Sequence, residues 1–211
     1  MALDADRRHG DVLRFSGAIL AGGRSSRFGS DKALAVVDGR AMVRRVADAL
    51  DEAGAAEVFV IGGDAVALAA LGLTSLPDRR PGEGPLDGLI TALGASANDL
   101  VVVLACDLPF VTAELIGALV GAVGADQVGA DQVGADQVDA DVAVAVVDDG
   151  DRVEPLVGCW RASTCLPVLE QAFADGERAV HRALTWLAAT TTVTAAPRTI
   201  VNVNRTDDLE R

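Results

Sequence analysis

Lys32 is the only lysine among the 18 Lys and Arg residues of this chain. It closes the segment Leu20-Ala-Gly-Gly-Arg-Ser-Ser-Arg-Phe-Gly-Ser-Asp-Lys32, which follows the apolar run Phe15 to Leu20 and carries Gly22, Gly23, Gly29, Arg24 and Arg27. A glycine-rich turn after a buried strand lets backbone N–H groups converge on an anion. At its end stands a compact ammonium on a flexible stem, which does different work from arginine's rigid planar fork. The segment reads as a nucleotide triphosphate site, although glycines and serines after a strand also make plain turns. Two other phosphate loops are excluded by spelling. A P-loop needs Gly-Lys-Ser/Thr, whereas Lys32 stands between Asp31 and Ala33, and Gly22-Gly23-Arg24-Ser25 does not supply a dinucleotide fingerprint.

Three further sets of residues carry candidate chemistry. Asp107 closely follows the apolar run Leu100–Ala105 and precedes Leu108-Pro109, so its carboxylate is expected at the edge of a sheet, with Thr112 the better cap for the next helix. It is the metal candidate, because Mg²⁺ takes few protein ligands and completes its shell with water and phosphate oxygens. Asp78 follows a third strand and either contacts a base or ribose or pairs with Arg79 or Arg80. Asn202 and Asn204 lie two apart in an expected strand and so share a face, reaching the site or satisfying turn backbone. Glu83 and Asp87 flank the Gly84-Pro85 turn and are read as shaping the loop. His9 and His181 fall outside every motif, and Cys106, Cys159 and Cys165 have no base nearby in sequence, so Ser-His-Asp and covalent schemes have no footing.

The elements that must position these residues alternate. Strands are expected at Leu13–Leu20, Glu57–Ile61, Leu73–Leu76, Leu100–Ala105, Asp141–Val147, Pro155–Trp160, Thr191–Ala195 and Thr199–Val203. Helices are expected at Ala41–Ala53, Leu86–Ala97, Ala113–Val123, Ala162–Phe173 and Val180–Ala189, with Met42, Val43, Val46, Ala49 and Leu50 making one apolar face of the first. This alternation predicts an α/β protein with a mostly parallel Rossmann-like sheet covered by helices on both faces, its ligands at the carboxyl ends of the strands. Residues 1–11 are expected to be a disordered leader and 12–211 a single domain. The thrice-repeated pentapeptide Gly-Ala-Asp-Gln-Val at 124–138 is read as an insertion in a surface loop or a helix extension.

Bulk composition narrows the class. Of the 211 residues, 50% are hydrophobic and 3% aromatic, which suits an aliphatic core. No run approaches the ~20 apolar residues that span a bilayer, so no membrane partner is expected. Three cysteines without paired metal spacing fit a reduced, cytoplasmic protein. A net charge of −13 argues against nucleic acid as a partner. It leaves room for a small anion, since Arg24, Arg27, Lys32, Arg79 and Arg80 sit in two glycine-rich loops.

The motifs together resemble the molybdenum cofactor guanylyltransferases. The N-terminal segment is similar to that family's Leu-Ala-Gly-Gly-x-Ser-x-Arg-Met-Gly-x-Asp-Lys, with Phe28 in place of methionine. Pro77 to Leu89, Ala105-Cys106-Asp107-Leu108-Pro109, Glu154-Pro155-Leu156 and Val201-Asn202-Val203-Asn204 resemble its later motifs, in family order. The resemblance implies a nucleotide-diphospho-sugar transferase-like fold and a Mg²⁺-dependent transfer of GMP from GTP to the terminal phosphate of molybdenum-bound molybdopterin, releasing pyrophosphate. It further implies that Leu20, Ala21, Gly22 and Gly23 hold and read the nucleotide, that Lys32 and Arg27 meet its phosphates, and that Asp107 holds the metal. Asp78, Asn202 and Asn204 would complete the nucleotide and metal contacts. Molybdoenzyme apo-proteins or their chaperones would be further partners. Departures are Gly62-Gly63, where the family often has an asparagine, and Arg205-Thr206-Asp207 after Asn204. The alternatives are a cytidylyl- or other nucleotidyltransferase acting on molybdopterin or a sugar phosphate, and a non-catalytic nucleotide-binding adaptor that delivers cofactor.

Overall fold

The computed structural model describes residues 13–21, 32–124, 140–147 and 152–203. The expected leader and residues 125–138 of the pentapeptide insertion lie outside them, while Gly124 closes a helix. In chain order the elements are β1 (Phe15–Leu20), β2 (Val36–Val37), β3 (Arg40–Ala41), α1 (Met42–Glu52), β4 (Glu57–Ile61), α2 (Ala65–Ala70), β5 (Thr74–Leu76) and α3 (Pro85–Ala95). There follow β6 (Leu100–Ala105), α4 (Ala113–Gly124), β7 (Val142–Val147), β8 (Arg152–Arg161), α5 (Ala162–Ala174), α6 (Val180–Ala183) and β9 (Thr190–Thr194).

Seven strands form one sheet in the order β5-β4-β1-β6-β8-β7-β9, and β8 runs against its two neighbours while the other pairings are parallel. Side chains alternate across the sheet, as a period of two requires. Ile19, Val60, Val102 and Leu104 join α1, α2 and α4 in one buried cluster, and Ala18, Leu20, Phe59, Val101 and Val103 join α3, α5 and α6 in another. Both faces are therefore covered, which is why the central strands are apolar throughout. Gly17 in β1 marks where α1 presses closest, since a Cβ there would lie 2.9 Å from Leu50 Cδ1.

The mostly parallel sheet is the one expected, with four differences of detail. Thr199–Val203 is not a strand: Pro197, lacking an N–H, opens a 3-10 turn Pro197–Ile200, and the Thr199 N–H and hydroxyl both turn back to the Ala196 carbonyl at 2.9 and 2.7 Å. The helix expected over Val180–Ala189 stops at Ala183 and passes into a 3-10 turn, Leu184–Trp186. The β2–β3 hairpin was not anticipated, although Asp38-Gly39 is a strong turn signal and both residues have positive φ, 49° and 79°. Helix α2 was also missed; its signal is Asp64, whose carboxylate accepts the Val66 and Ala67 N–H groups at 2.9 and 3.1 Å. No helix among the described residues is long and apolar enough to cross a membrane.

Candidate active site

The parallel strands deliver their carboxyl ends in register: Leu20 pairs with Ile61 and Ala105, and Ile61 with Leu76. Asp107 and Asp78 each follow two residues beyond such an end. They stand three strand positions apart, roughly 14 Å along the edge at ~4.8 Å per strand, with Leu20 and Ala21 between them. Leu20 is buried, its carbonyl accepts the Cys106 N–H at 3.1 Å, and the Ala21 N–H donates to Ile61 at 3.0 Å. The glycine-rich segment continues from there; its Gly22, Gly23, Arg24 and Arg27 lie outside the described residues, as does Asn204.

Lys32 emerges from that segment onto Asp107. Its ammonium donates to Asp107 Oδ2 at 2.5 Å, with the two side chains 16% and 19% exposed. The other oxygen, Oδ1, is buried and has no hydrogen-bond partner among the described residues. A buried carboxylate oxygen left unmatched is costly unless something is meant to meet it. Thr112 relieves Asp107 of capping duty, since its hydroxyl takes the Leu115 N–H at 3.4 Å at the start of α4.

Lys32 and Asp107 are 75 residues apart, and a small tertiary cluster holds them together. Val37, Met42 and Val203 are buried against one another, with Ala35 and Phe110 packed on them, which joins the hairpin and α1 to the Asp107 loop and the C-terminal segment. Arg45 of α1 donates to the Pro109 carbonyl at 2.9 Å and lies 5.5 Å from the Phe110 ring centre. The Val203 N–H donates to the Asp107 carbonyl at 2.9 Å. That bond, rather than strand pairing, carries half-buried Asn202 to the site. Arg45 and Phe110 escaped the reading of the sequence, which saw Met42 only as part of a helix face and Val203 only as part of a motif, because all four act here through tertiary packing. Glu154 and Leu156 are at the same edge, because β8 pairs with β6 up to Val157 and runs past its end while pairing with β7. Glu154 there pairs with Arg152 at 2.6 Å.

Around Asp78 the arginines have carboxylate partners of their own. Arg79 pairs with Glu170 at 3.3 Å and Arg80 with Asp87 at 2.7 Å, and neither ion pair involves Asp78. Burial, and then the Asp87 carboxyl beside it, push the Asp78 carboxyl above the ordinary 3.8. Gly62 and Gly63 both have positive φ, 77° and 74°, so a glycine pair suits the turn where the family often has an asparagine. Exposed His181 lies on α6, and burial pushes the Cys159 and Cys165 thiols up to about 12, which keeps them unreactive.

The family description "MobA-like NTP transferase domain" matches residues 17–192. The chain belongs to the MobA-like NTP transferases. Over 206 residues this transferase is 31% identical to "Molybdenum cofactor guanylyltransferase" from a Shewanella species, covering 94% of this chain and 95% of that one. Over 104 residues it is 47% identical to "Probable molybdenum cofactor guanylyltransferase" from Pelotomaculum thermopropionicum, a stretch that spans half of that relative's length. Among solved structures, "Molybdopterin-guanine dinucleotide biosynthesis protein A" from Archaeoglobus fulgidus shares the fold, with a TM-score of 0.66 and 22% identity over 92% of this chain and 95% of that one. As a member of this family the protein is a nucleotidyltransferase.

Proposed function

We propose that the protein transfers GMP from GTP to the terminal phosphate of molybdenum-bound molybdopterin, releasing pyrophosphate, with Mg²⁺ as cofactor. The observation that carries the catalytic part is the Lys32–Asp107 pair at the carboxyl edge of β1 and β6, where the glycine-rich segment also begins and ends. The names of the relatives supply the substrates. The attacking phosphate oxygen is already ionised near neutral pH, so the reaction needs no general base and the site needs no histidine. Its barrier is repulsion between anions, which positioned charge lowers.

In this reading Lys32 leaves Asp107 for the α-phosphate of the nucleotide, and Arg27 with the backbone of Gly22, Gly23 and Arg24 holds the β- and γ-phosphates. Leu20, Ala21 and Gly22 read the base through their backbone groups, and Asp78 holds the nucleoside at the far end of the edge. Asp107 suits Mg²⁺, since one hard, buried and unmatched oxygen is what a cation taking most of its shell from water and phosphate requires. No group of three or more His, Cys, Asp or Glu that could hold a metal ion is present among the described residues, so Asp107 would be the principal protein ligand, with Asn202 near it and Asn204 proposed as a further contact. When bound, the ion supplies positive charge to the phosphate oxygens.

The test is pyrophosphate release with molybdopterin and Mg²⁺, comparing GTP, CTP and ATP, with Asp107→Ala as control. Release with GTP alone, lost in the control, is the expected result. Release with CTP would make the protein a cytidylyltransferase, and GTP binding without release would make it a delivery adaptor or assign it another acceptor.

A further inference from the structure

Asp87 is the charged residue whose situation the proposed chemistry does not explain. It sits in the first turn of α3, fully buried, with both of its oxygens accepting from Arg80 and the Asp78 carboxyl beside it. Oδ2 accepts the Arg80 backbone N–H at 2.8 Å, and Oδ1 accepts the Arg80 guanidinium at 2.7 Å. A carboxylate withdrawn from water in this way is a poor source of net stability unless its partners are fully engaged, so its value lies in the geometry it imposes.

That geometry is the path of loop 78–84. The Arg80 guanidinium lies 4.7 Å from the centre of the Phe173 ring on α5, and Arg178 lies 3.8 Å from the same ring. Arg178 in turn donates to Glu83 Oε2 at 2.9 Å and to the Phe173 and Glu177 carbonyls, both at 2.8 Å. Arg79 reaches Glu170 of α5 at 3.3 Å. Gly84 completes the turn at φ 101°, a backbone that L side chains rarely adopt. The loop is thereby fastened to α3 through Asp87 and to α5 and its following turn through Phe173 and Arg178. Asp78 hangs from this clasp, its Oδ1 accepting the same Arg80 N–H at 3.4 Å.

We infer that Asp87 is a positioning residue for nucleotide recognition: it holds Arg80, and through Arg80 it sets the direction in which Asp78 is presented at the edge of the sheet. The inference rests on the reading of Asp78 as a nucleotide contact. Holding the loop before the ligand arrives spares binding the cost of ordering it. Losing the clasp therefore weakens GTP binding and leaves the chemistry at Asp107 and Lys32, three strands away, in place.

The experiment uses the full chain and compares wild type with Asp87→Asn, Arg80→Lys and Asp78→Ala. It reads KM and kcat for GTP, and hydrogen–deuterium exchange of the amides of residues 79–84. Asp87→Asn is expected to raise KM roughly three- to tenfold with kcat within about twofold, and to speed exchange in the loop. Arg80→Lys keeps the charge but loses the fork and the stacking, so it should show the same pattern more weakly. It carries the test alone if Asp87→Asn does not fold. Wild-type KM and exchange in these variants, while Asp78→Ala raises KM, would overturn the role of Asp87 and leave Asp78 as a contact. An Asp78→Ala KM equal to wild type would instead remove the nucleotide contact, and the positioning role would fall with it even if the loop exchanged faster.

Discussion

Replacing Lys32 by methionine removes one charge and keeps the length of the side chain, and it should move two measurements in opposite directions. The ammonium and Asp107 Oδ2 are 2.5 Å apart in a site where both side chains are mostly buried. Unit charges 4 Å apart attract by about 4 kcal/mol at an effective dielectric of 20, and desolvation takes back part of that. When the partner is a phosphate in the transition state, losing one preorganised cation typically costs ~10²–10³ in kcat, or about 2.7–4 kcal/mol. Turnover of Lys32→Met should fall by that amount, and Lys32→Arg should also be impaired by its bulkier fork. Without nucleotide, however, a divalent cation can engage Asp107 fully only by displacing the ammonium. The same Lys32→Met variant should therefore bind Mn²⁺ more tightly, by about tenfold or ~1.4 kcal/mol, as read by electron paramagnetic resonance of the free ion. A general folding defect would lower both quantities. Turnover within about threefold of wild type would refute the phosphate role, and unchanged or weaker Mn²⁺ binding would refute the counter-ion argument.

Two other perturbations test the scaffold. Gly17→Ala places a Cβ 2.9 Å from Leu50 Cδ1 and 3.2 Å from its Cβ, and should cost roughly 1–3 kcal/mol in urea unfolding; an unchanged midpoint would show that α1 yields easily. Asp78 has its folded-state carboxyl raised above 3.8, so the folded protein holds that proton to higher pH than the unfolded chain. Its ionisation thus opposes folding above the raised value, and the penalty disappears as pH falls towards 3.8. Asp78→Asn should melt higher than wild type at pH 7, with the gap closing on acidification, and a gap that widened towards acid would contradict the assignment.

Much of the fold was legible because apolar periodicity and turn chemistry are local. Runs such as Leu100–Ala105 announce strands buried on both faces, and alternation with helical stretches announces a parallel sheet. The segment ending at Lys32 and the carboxylates Asp78 and Asp107 could be picked out because polar residues directly after such strands fall at the carboxyl edge. Local signals failed where local and tertiary interests diverged. Thr199–Val203 has strand-like residues, but Pro197 commits the chain to a turn, and the Val203 N–H finds its acceptor at Asp107 rather than on a neighbouring strand.

What the sequence by itself determined is the set of chemical groups and the end of the sheet on which they lie. Tertiary structure alone decided their partners. Lys32 faces Asp107 because the hairpin, Met42, Phe110 and Val203 pack into one cluster. Arg79 and Arg80, read from sequence as cations for a ligand, are matched by Glu170 and Asp87. Side-chain charge is written in the residue, but whether that charge is left for a ligand depends on which opposite charge the fold brings within hydrogen-bonding distance, and that distance is set by packing between elements far apart in the chain.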